Sequence, residues 1–558
     1  MSAVTPPRQT PTTRTHRRWV QRPSVPPEPV ARRRRHLLAL GLLGAVLALA
    51  GAGWLVFGGS GTEPPATGAA RVVPANALAY VHLSTDPSRP AVQAAGRLAT
   101  RFPDYPLVYA AVVNRVDSVL GGATSVDFDR QVRPWLGKEA ALAVLPSNGG
   151  SAPTLLVLGV SSRARAQAFL RSVGAAPAGA YEGVELLAYP SGSQVALVGQ
   201  YLVAGPASGV RAAIDAARGL APSLAHNATY ERAAASEPAG RVLDAYLPAA
   251  GVLRLLAGRT GLAGAVGVLL DRPATAGTAI SVSAVSGGAQ VQIHSVMSGG
   301  AKARASSLGF TPTLQSVLPS GSTLMLDVRG LASSAPELLR AAAAAGIGAN
   351  LESLLVRLGS ALASQGVNVA DVLSVFHGET AVALSPGQSP ALLIVGRVSN
   401  QAAARSELAS LEAPLTSLFS PSSSTAAGQV PELANTEVDG ATIDEVQLGT
   451  GLQVNYGVFN GLAVVSTSIQ AIDEVAQRSH ALVDDASYRA VLPNGTGPVS
   501  SLLFGDFTRL LSLAEQTGLM GGATTHELLP DLSKVSTIGM SSTSGKRDTT
   551  TELTLEIR

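Results

Sequence analysis

Gln290-Val291-Gln292-Ile293-His294 alternates polar and apolar side chains, the two-residue period of a strand with one face buried and the other wet. A short turn, Ser286-Gly287-Gly288, joins it to an apolar stretch at 279–285, so the two read as an antiparallel hairpin. The arrangement recurs at the C-terminus. Ser544-Gly545-Lys546 is followed by Leu553, Leu555 and Ile557, which alternate with Thr554 and Glu556. Strands joined by turns this short pair antiparallel and need no helical crossover.

Working outward from that hairpin, the first half of the chain predicts strands near 77–83, 139–145, 154–159, 184–189, 194–198, 201–205, 241–247, 279–285 and 290–297. Helices are expected near 90–102, 163–173, 207–218 and 250–258. Ala166, Phe169, Leu170 and Val173 form the i, i+3, i+4, i+7 stripe of a helix lying on a sheet.

The second half repeats the first. Val73-Pro74 corresponds to Leu318-Pro319, and Lys138-Glu139-Ala140-Ala141-Leu142-Ala143 to Gly378-Glu379-Thr380-Ala381-Val382-Ala383. Leu155–Gly159 matches Leu392–Gly396, and Tyr230 matches Tyr488 within a shared Leu-x-x-Asn/Asp-Ala-Thr/Ser-Tyr pattern. Thr260-Gly261-Leu262 matches Thr517-Gly518-Leu519. The spacing between matched landmarks is steady on either side of a single jump. That jump coincides with the low-complexity run Ser420–Thr425, as an inserted loop would produce. The expected fold class is therefore α+β: two tandem homologous domains, 71–300 and 311–558, each a mainly antiparallel sheet with helices on one face. Because 551–558 reads as the last strand, its removal should unfold the second domain.

Ahead of these domains, Arg32-Arg33-Arg34-Arg35-His36 precedes an uncharged run from Leu37 to Phe57. That run is just long enough to cross a bilayer as one transmembrane helix. Arg32, Arg33, Arg34 and Arg35 set the topology, holding 1–36 in the cytoplasm as a disordered basic tail and placing the remainder outside. Residues 58–70 read as a flexible linker. Two alternatives exist for the run. Ala48-Leu49-Ala50 has the form of a signal-peptidase site, and Arg34-Arg35 resembles a twin-arginine signal.

Charge supports this division. Residues 1–36 hold nine Arg and one Glu, while the rest of the chain is mildly acidic, so the basic pI belongs to the tail and does not indicate nucleic-acid binding. The absence of cysteine excludes disulfides, thiol nucleophiles, cysteine metal sites and a lipoprotein acylated on cysteine. Arg greatly outnumbers Lys, as expected of a high-GC Gram-positive bacterium.

Catalytic patterns are missing: there is no G-x-S-x-G elbow and no H-E-x-x-H. His82, His226, His294, His377, His480 and His526 are scattered and read as ordinary strand or surface residues, so no metal ligand and no cofactor is expected. Asp127-Phe128-Asp129 reads as a helix start with acidic residues near its N-terminus. Gly539–Arg547 differs from a phosphate loop in spacing and in the residue after Lys546, and reads as a hairpin turn. The apolar stretches Leu255–Leu270, Ala341–Ala345 and Leu354–Leu362 read as core-facing helices, or alternatively as the cover of a greasy cavity.

Val72-Val73-Pro74-Ala75-Asn76-Ala77-Leu78-Ala79-Tyr80-Val81 and Pro134-Trp135-Leu136-Gly137, with Glu139 beyond, resemble a bacterial membrane-anchored domain family of unknown function, number thirty-three fifty-two in the domain-of-unknown-function series. The resemblance implies a short cytoplasmic tail, one membrane helix and a large exported region over 71–558, and it supplies no catalytic residues. The second copy departs from it where Val375 stands for Trp135. The expected protein is a non-enzymatic binding or structural component of the cell envelope. It would be held in the cell membrane by residues 37–57 and engage an envelope protein, wall polymer or lipid. The alternatives are a carrier of lipid or another hydrophobic ligand and a hydrolase with a dispersed site.

Overall fold

The hairpin at 279–297 belongs to a sheet that runs through both halves of the chain. The computed structural model describes residues 63–120, 126–147, 152–189, 192–255, 275–298, 309–331, 374–385, 391–410, 412, 432–449, 452–492, 497–516 and 529–558. Its first half contains β1 (Ala79–Ser84), α1 (Pro90–Ala99), α2 (Tyr105–Leu120), β2 (Leu136–Val144), β3 (Thr154–Val160), α3 (Arg163–Ser172), β4 (Ala176–Tyr181), β5 (Val184–Ala188), β6 (Gln194–Val198), β7 (Tyr201–Gly205), α4 (Ala207–Arg218), α5 (Ala228–Ala234), β8 (Arg241–Pro248), α6 (Ala249–Leu255), β9 (Thr275–Val285) and β10 (Gly288–Met297). The second contains β11 (Leu324–Arg329), β12 (Glu379–Leu384), β13 (Leu392–Arg397), α7 (Gln401–Ala409), β14 (Glu432–Val438), β15 (Ala441–Gly449), β16 (Leu452–Phe459), β17 (Leu462–Ser466), α8 (Ile469–Gln477), α9 (Ala486–Val491), β18 (Ser501–Asp506), α10 (Phe507–Gln516), β19 (Val535–Ser544) and β20 (Asp548–Ile557).

All strand pairings among the described residues are antiparallel. From one end the order is β4-β5-β6-β7-β3-β2-β1-β8-β9-β10. It continues through the equivalent strands in reverse, β20-β19-β18-β11-β12-β13-β17-β16-β15-β14. The halves meet where β10 pairs with β20, and the middle of that pairing sets Gln292 opposite Glu552. Equivalent strands pairing antiparallel about their midpoint make an internal two-fold contact, as in a symmetric dimer. The 20 strands among the described residues exceed the usual width of an open sheet, and duplication is what produces it.

This corrects the expected fold class. Two tandem domains with separate sheets are replaced by one continuous sheet. Val291 and Ile293 of β10 pack with Leu553 of β20. Leu98 of α1 and Phe102 just beyond it cover Ile557 and Leu555, and Arg101 donates to the Ile557 carbonyl at 2.8 Å. Each half ends in a strand whose outer edge is open, and the fellow half fills that edge. Alternation within a strand shows which face is buried and says nothing about which strand lies beside it.

Helices also cover both faces and not one. Leu155 and Val157 of β3 enter a core with Val210 and Ile214 of α4, while Leu156 and Leu158 enter another with Phe169 and Leu170 of α3. A strand apolar at successive positions needs cover on each side. The second half does the same, with α8 on one face and α7 on the other. Among the described residues no helix is long and apolar enough to cross a membrane, so the structure gives the single transmembrane helix no support. Residues 37–57, Arg32–Arg35, the Ser420–Thr425 insertion, Thr260–Leu262, Thr517–Leu519, and the stretches Ala341–Ala345 and Leu354–Leu362 lie outside the described residues. Of Leu255–Leu270 only Leu255 is described.

The other predicted strands and helices of the first half are all present, with ends shifted by a few residues. β4, α2 and α5 are additions. β4 reads Ala-Pro-Ala-Gly-Ala-Tyr, a composition poor in strand formers and largely solvent-exposed, so it carries no alternation to detect. The registers also move one landmark. Ala140 faces Leu158 and Thr380 faces Gly396, which sets Gly159 level with Arg397, not with Gly396.

Candidate functional site

Three adjacent strands, β2-β1-β8, bring Glu139, His82 and Asp244 together inside the first half. His82 and Asp244 each interrupt an apolar run, and Glu139 stands at the head of the apolar stretch Ala140–Val144. His82 Nδ1 lies 2.9 Å from Asp244 Oδ1, and Nε2 lies 3.4 Å from Glu139 Oε2. His82 is 0% exposed. Asp244 also accepts from Arg241 Nε at 3.1 Å, and the same Nε lies 3.0 Å from Glu237. Glu139 accepts further from Tyr201 Oη at 2.7 Å and from the Ala69 backbone N–H at 2.9 Å. The last bond ties the lead-in 3-10 turn, Gly68–Arg71, onto the sheet. The turn fits closely: a Cβ at Gly68 would fall 2.1 Å from Tyr201 Oη.

Electrostatics follow from burial and neighbours. Burial opposes charge on His82, but Asp244 and Glu139 outweigh it and raise the imidazole to about 9. Burial also opposes charge on Asp244, yet His82 and Arg241 hold its carboxyl below the usual range. Glu139 is likewise low, because bonds from His82, Ala69 and Tyr201 overcome its desolvation. Glu237 goes the other way, to about 8, through burial and the nearby Asp244 charge. At neutral pH two cations, His82 and Arg241, therefore face two anions, Glu139 and Asp244.

The registers place a different set at the same point of the second half. His82 becomes Asp327, Asp244 becomes Leu502, Tyr80 becomes Met325 and Tyr246 becomes Phe504. Glu379 keeps the role of Glu139. It accepts from the Leu314 N–H at 2.9 Å, from the Thr313 N–H and from Thr313 Oγ1 at 2.5 Å, and so ties down the turn Leu314–Ser316. Where Gly159 faces Tyr201, Arg397 faces Leu462, and Arg397 Nε reaches Glu379 at 3.2 Å. Burial, with the charge of Glu379 nearby, raises Asp327 to about 9, so it is a neutral acid.

Sequence reasoning passed over these residues. His82 is a central buried group and not an ordinary strand histidine, and Glu139 and Glu379, landmarks of the duplication, also hold the lead-in turns. The available signal was a titratable side chain in the middle of an apolar strand, at His82 in Tyr-Val-His-Leu and Asp244 in Val-Leu-Asp-Ala.

The other candidates are local. Ser223 Oγ lies 2.9 Å from His226 Nδ1, but Ser223 is buried and the pair sits within one turn. Asp127 accepts from the Arg130 N–H and caps the helical turn Phe128–Val132, as expected. Gly539–Arg547 lies in the β19–β20 hairpin, also as expected. Among the described residues no group of three His, Asp or Glu side chains is disposed to hold a metal ion. A cavity of about 340 Å³ is lined by Ser320, Gly321, Ser322, Asp485, Asp506 and Arg509 among others. Those groups bond one another: Gly321 N–H to Asp485, Arg509 to the Gly321 carbonyl, and Arg509 to Asp506.

A family described as a protein of unknown function (DUF3352) matches residues 37–558. No curated protein matches. Among solved structures, crystal form I of TP0453 is similar at 12% identity and a TM-score of 0.25, covering 42% of this chain and 81% of that one. Crystal form III of TP0453 gives 12% identity and a TM-score of 0.24, covering 44% and 88%. Likeness this slight says nothing further about the chain.

Proposed function

The chain belongs to the DUF3352 family of proteins of unknown function, and on that premise we propose that it is a non-enzymatic binding or structural protein of the cell envelope, working outside the cytoplasmic membrane. One observation carries the first part. His82, Glu139, Asp244 and Arg241 are engaged with one another inside the core, and Glu139 and Glu379 brace the lead-in turns of the two halves. Catalysis needs such groups within reach of a substrate, whereas His82 is sealed. Export is supported by the uncharged run from Leu37 to Phe57 behind Arg32–Arg35.

Both parts can be tested on the full chain in cells. Protease added to intact protoplasts should digest the sheet body, and a body protected until lysis would refute an exported site of action. In-cell cross-linking should recover the same envelope partner from wild type and from the His82→Asp, Asp244→Leu double variant. Loss of that partner by a folded double variant would make the cluster functional and overturn the structural reading.

A further inference from the structure

Among the described residues the sheet has two ends, β4 and β14, which are equivalent strands of the two halves. They are not equivalent as edges. β4 carries Pro177, which has no N–H to donate, and its register with β5 shifts between Pro177 and Ala180, around Gly179 at φ +100°. Proline and an irregular register are standard ways of blocking further pairing at an edge. β14 lacks both. It pairs with β15 over seven residues without a shift, from Glu432 opposite Gln447 to Val438 opposite Ala441. β15 is its only strand partner among the described residues, and Leu433 is 55% exposed.

We propose that β14 is a self-association edge, at which two copies of this chain pair their β14 strands antiparallel and merge their sheets. The molecule already contains this contact once, where the equivalent strands β10 and β20 pair about their midpoint. Repeating it at β14 centres the pairing on Asn435. Leu433 then stands opposite Glu437 of the second copy, and Ala434 opposite Thr436, with no like charges directly opposed. The inequality of the two ends favours a second copy. Were both edges open, two-fold pairing at each would build an endless ribbon, and blocking β4 closes the assembly at a dimer. This inference is independent of the envelope reading above.

Because the full chain has no cysteine, single replacements from Leu433 to Glu437 each introduce the only thiol. Under mild oxidation, cross-linking to a covalent dimer should peak at the residue that faces itself, expected at Asn435→Cys, while Ala180→Cys in β4 stays monomeric. Light scattering of the unmodified chain should give twice the monomer mass. Leu433→Lys should weaken the dimer roughly tenfold, through two symmetric contacts, with an unchanged unfolding curve at dilutions where both chains are monomeric. A wild-type monomer at about tens of micromolar would overturn the proposal. So would no cross-link anywhere from Leu433 to Glu437, equal cross-linking at Ala180→Cys, or a dimer indifferent to Leu433→Lys.

Discussion

His82 and Asp327 occupy the same register position in the two halves of one sheet, yet the first carries a positive charge and the second a bound proton. Their neighbours differ to match. Asp244 accompanies the cation, and Leu502 accompanies the neutral acid. Tyr201 serves Glu139, and Arg397, approaching from another strand, serves Glu379. What both halves keep is the glutamate that holds a lead-in 3-10 turn through backbone N–H groups. The comparison separates what this fold requires, an acceptor under that turn, from what it tolerates, either of two ways of neutralising the strand beside it.

The sharpest way to break the comparison is to mix the two solutions. Asp244→Leu alone places the second half's residue beside His82 and leaves the imidazolium and Arg241 short of a counter-charge. It should destabilise the chain by about 3–5 kcal/mol in urea unfolding. His82→Asp added to it restores the second half's combination. The double variant should lose less than the sum of the two single losses, because the residues touch. Strict additivity would show that the pair is not a unit.

The next effect depends on pH. Asp327 is raised from 3.8 to about 9, so its contribution to stability is full below about 4 and is lost as pH rises through 9. Asn cannot ionise. Asp327→Asn should therefore match wild type near pH 4 and exceed it by up to about 5–6 kcal/mol at pH 8. His82 has the same sign over a narrower window. Raised from 6.5 to about 9, it stabilises fully below 6.5 and progressively less up to 9. Alkaline weakening thus has a source in each half, and urea midpoints across pH 4–9 would assign it. If Asp327→Asn left the pH dependence unchanged, the neutral-acid account of the second half would fail.

How much of this could be read beforehand follows from the range of each interaction. Local periodicity located nearly every strand of the first half, and the spacing of Tyr230 and Tyr488 located the repeat. The β10–β20 junction was hidden because Gln290–His294 and Leu553–Ile557 report only their own buried faces, and the register between them is a long-range fact. The charged cluster was hidden for the same reason. His82, Glu139 and Asp244 are far apart in sequence and meet only once β2, β1 and β8 are paired. Helices on both faces were, in principle, legible in the unbroken apolar run of β3.

The shared glutamates predict a smaller and more local effect. Glu139→Gln and Glu379→Gln keep the shape and remove the charge, so each weakens the bonds to its turn by about 1–3 kcal/mol. Hydrogen exchange should rise at the Ala69 amide in the first variant and at the Leu314 amide in the second, each without change in the other half. Faster exchange in both halves from one substitution would mean that the turns are coupled through β10–β20.

The smallest expected difference lies at α5 and α9, which repeat the same Ala-x-Tyr start. Asn227 caps α5, accepting from Thr229 and Tyr230 N–H at 3.0 and 3.1 Å. Asp485, at the same place before α9, makes no capping bond and accepts from the Gly321 N–H at 2.6 Å. Asn227→Ala should cost about 1 kcal/mol and fray α5. Asp485→Ala should leave α9 exchange unchanged and release the Gly321 amide, since that carboxylate joins two loops and closes no helix. Fraying of α9 in the second variant would show that the two positions still share one role.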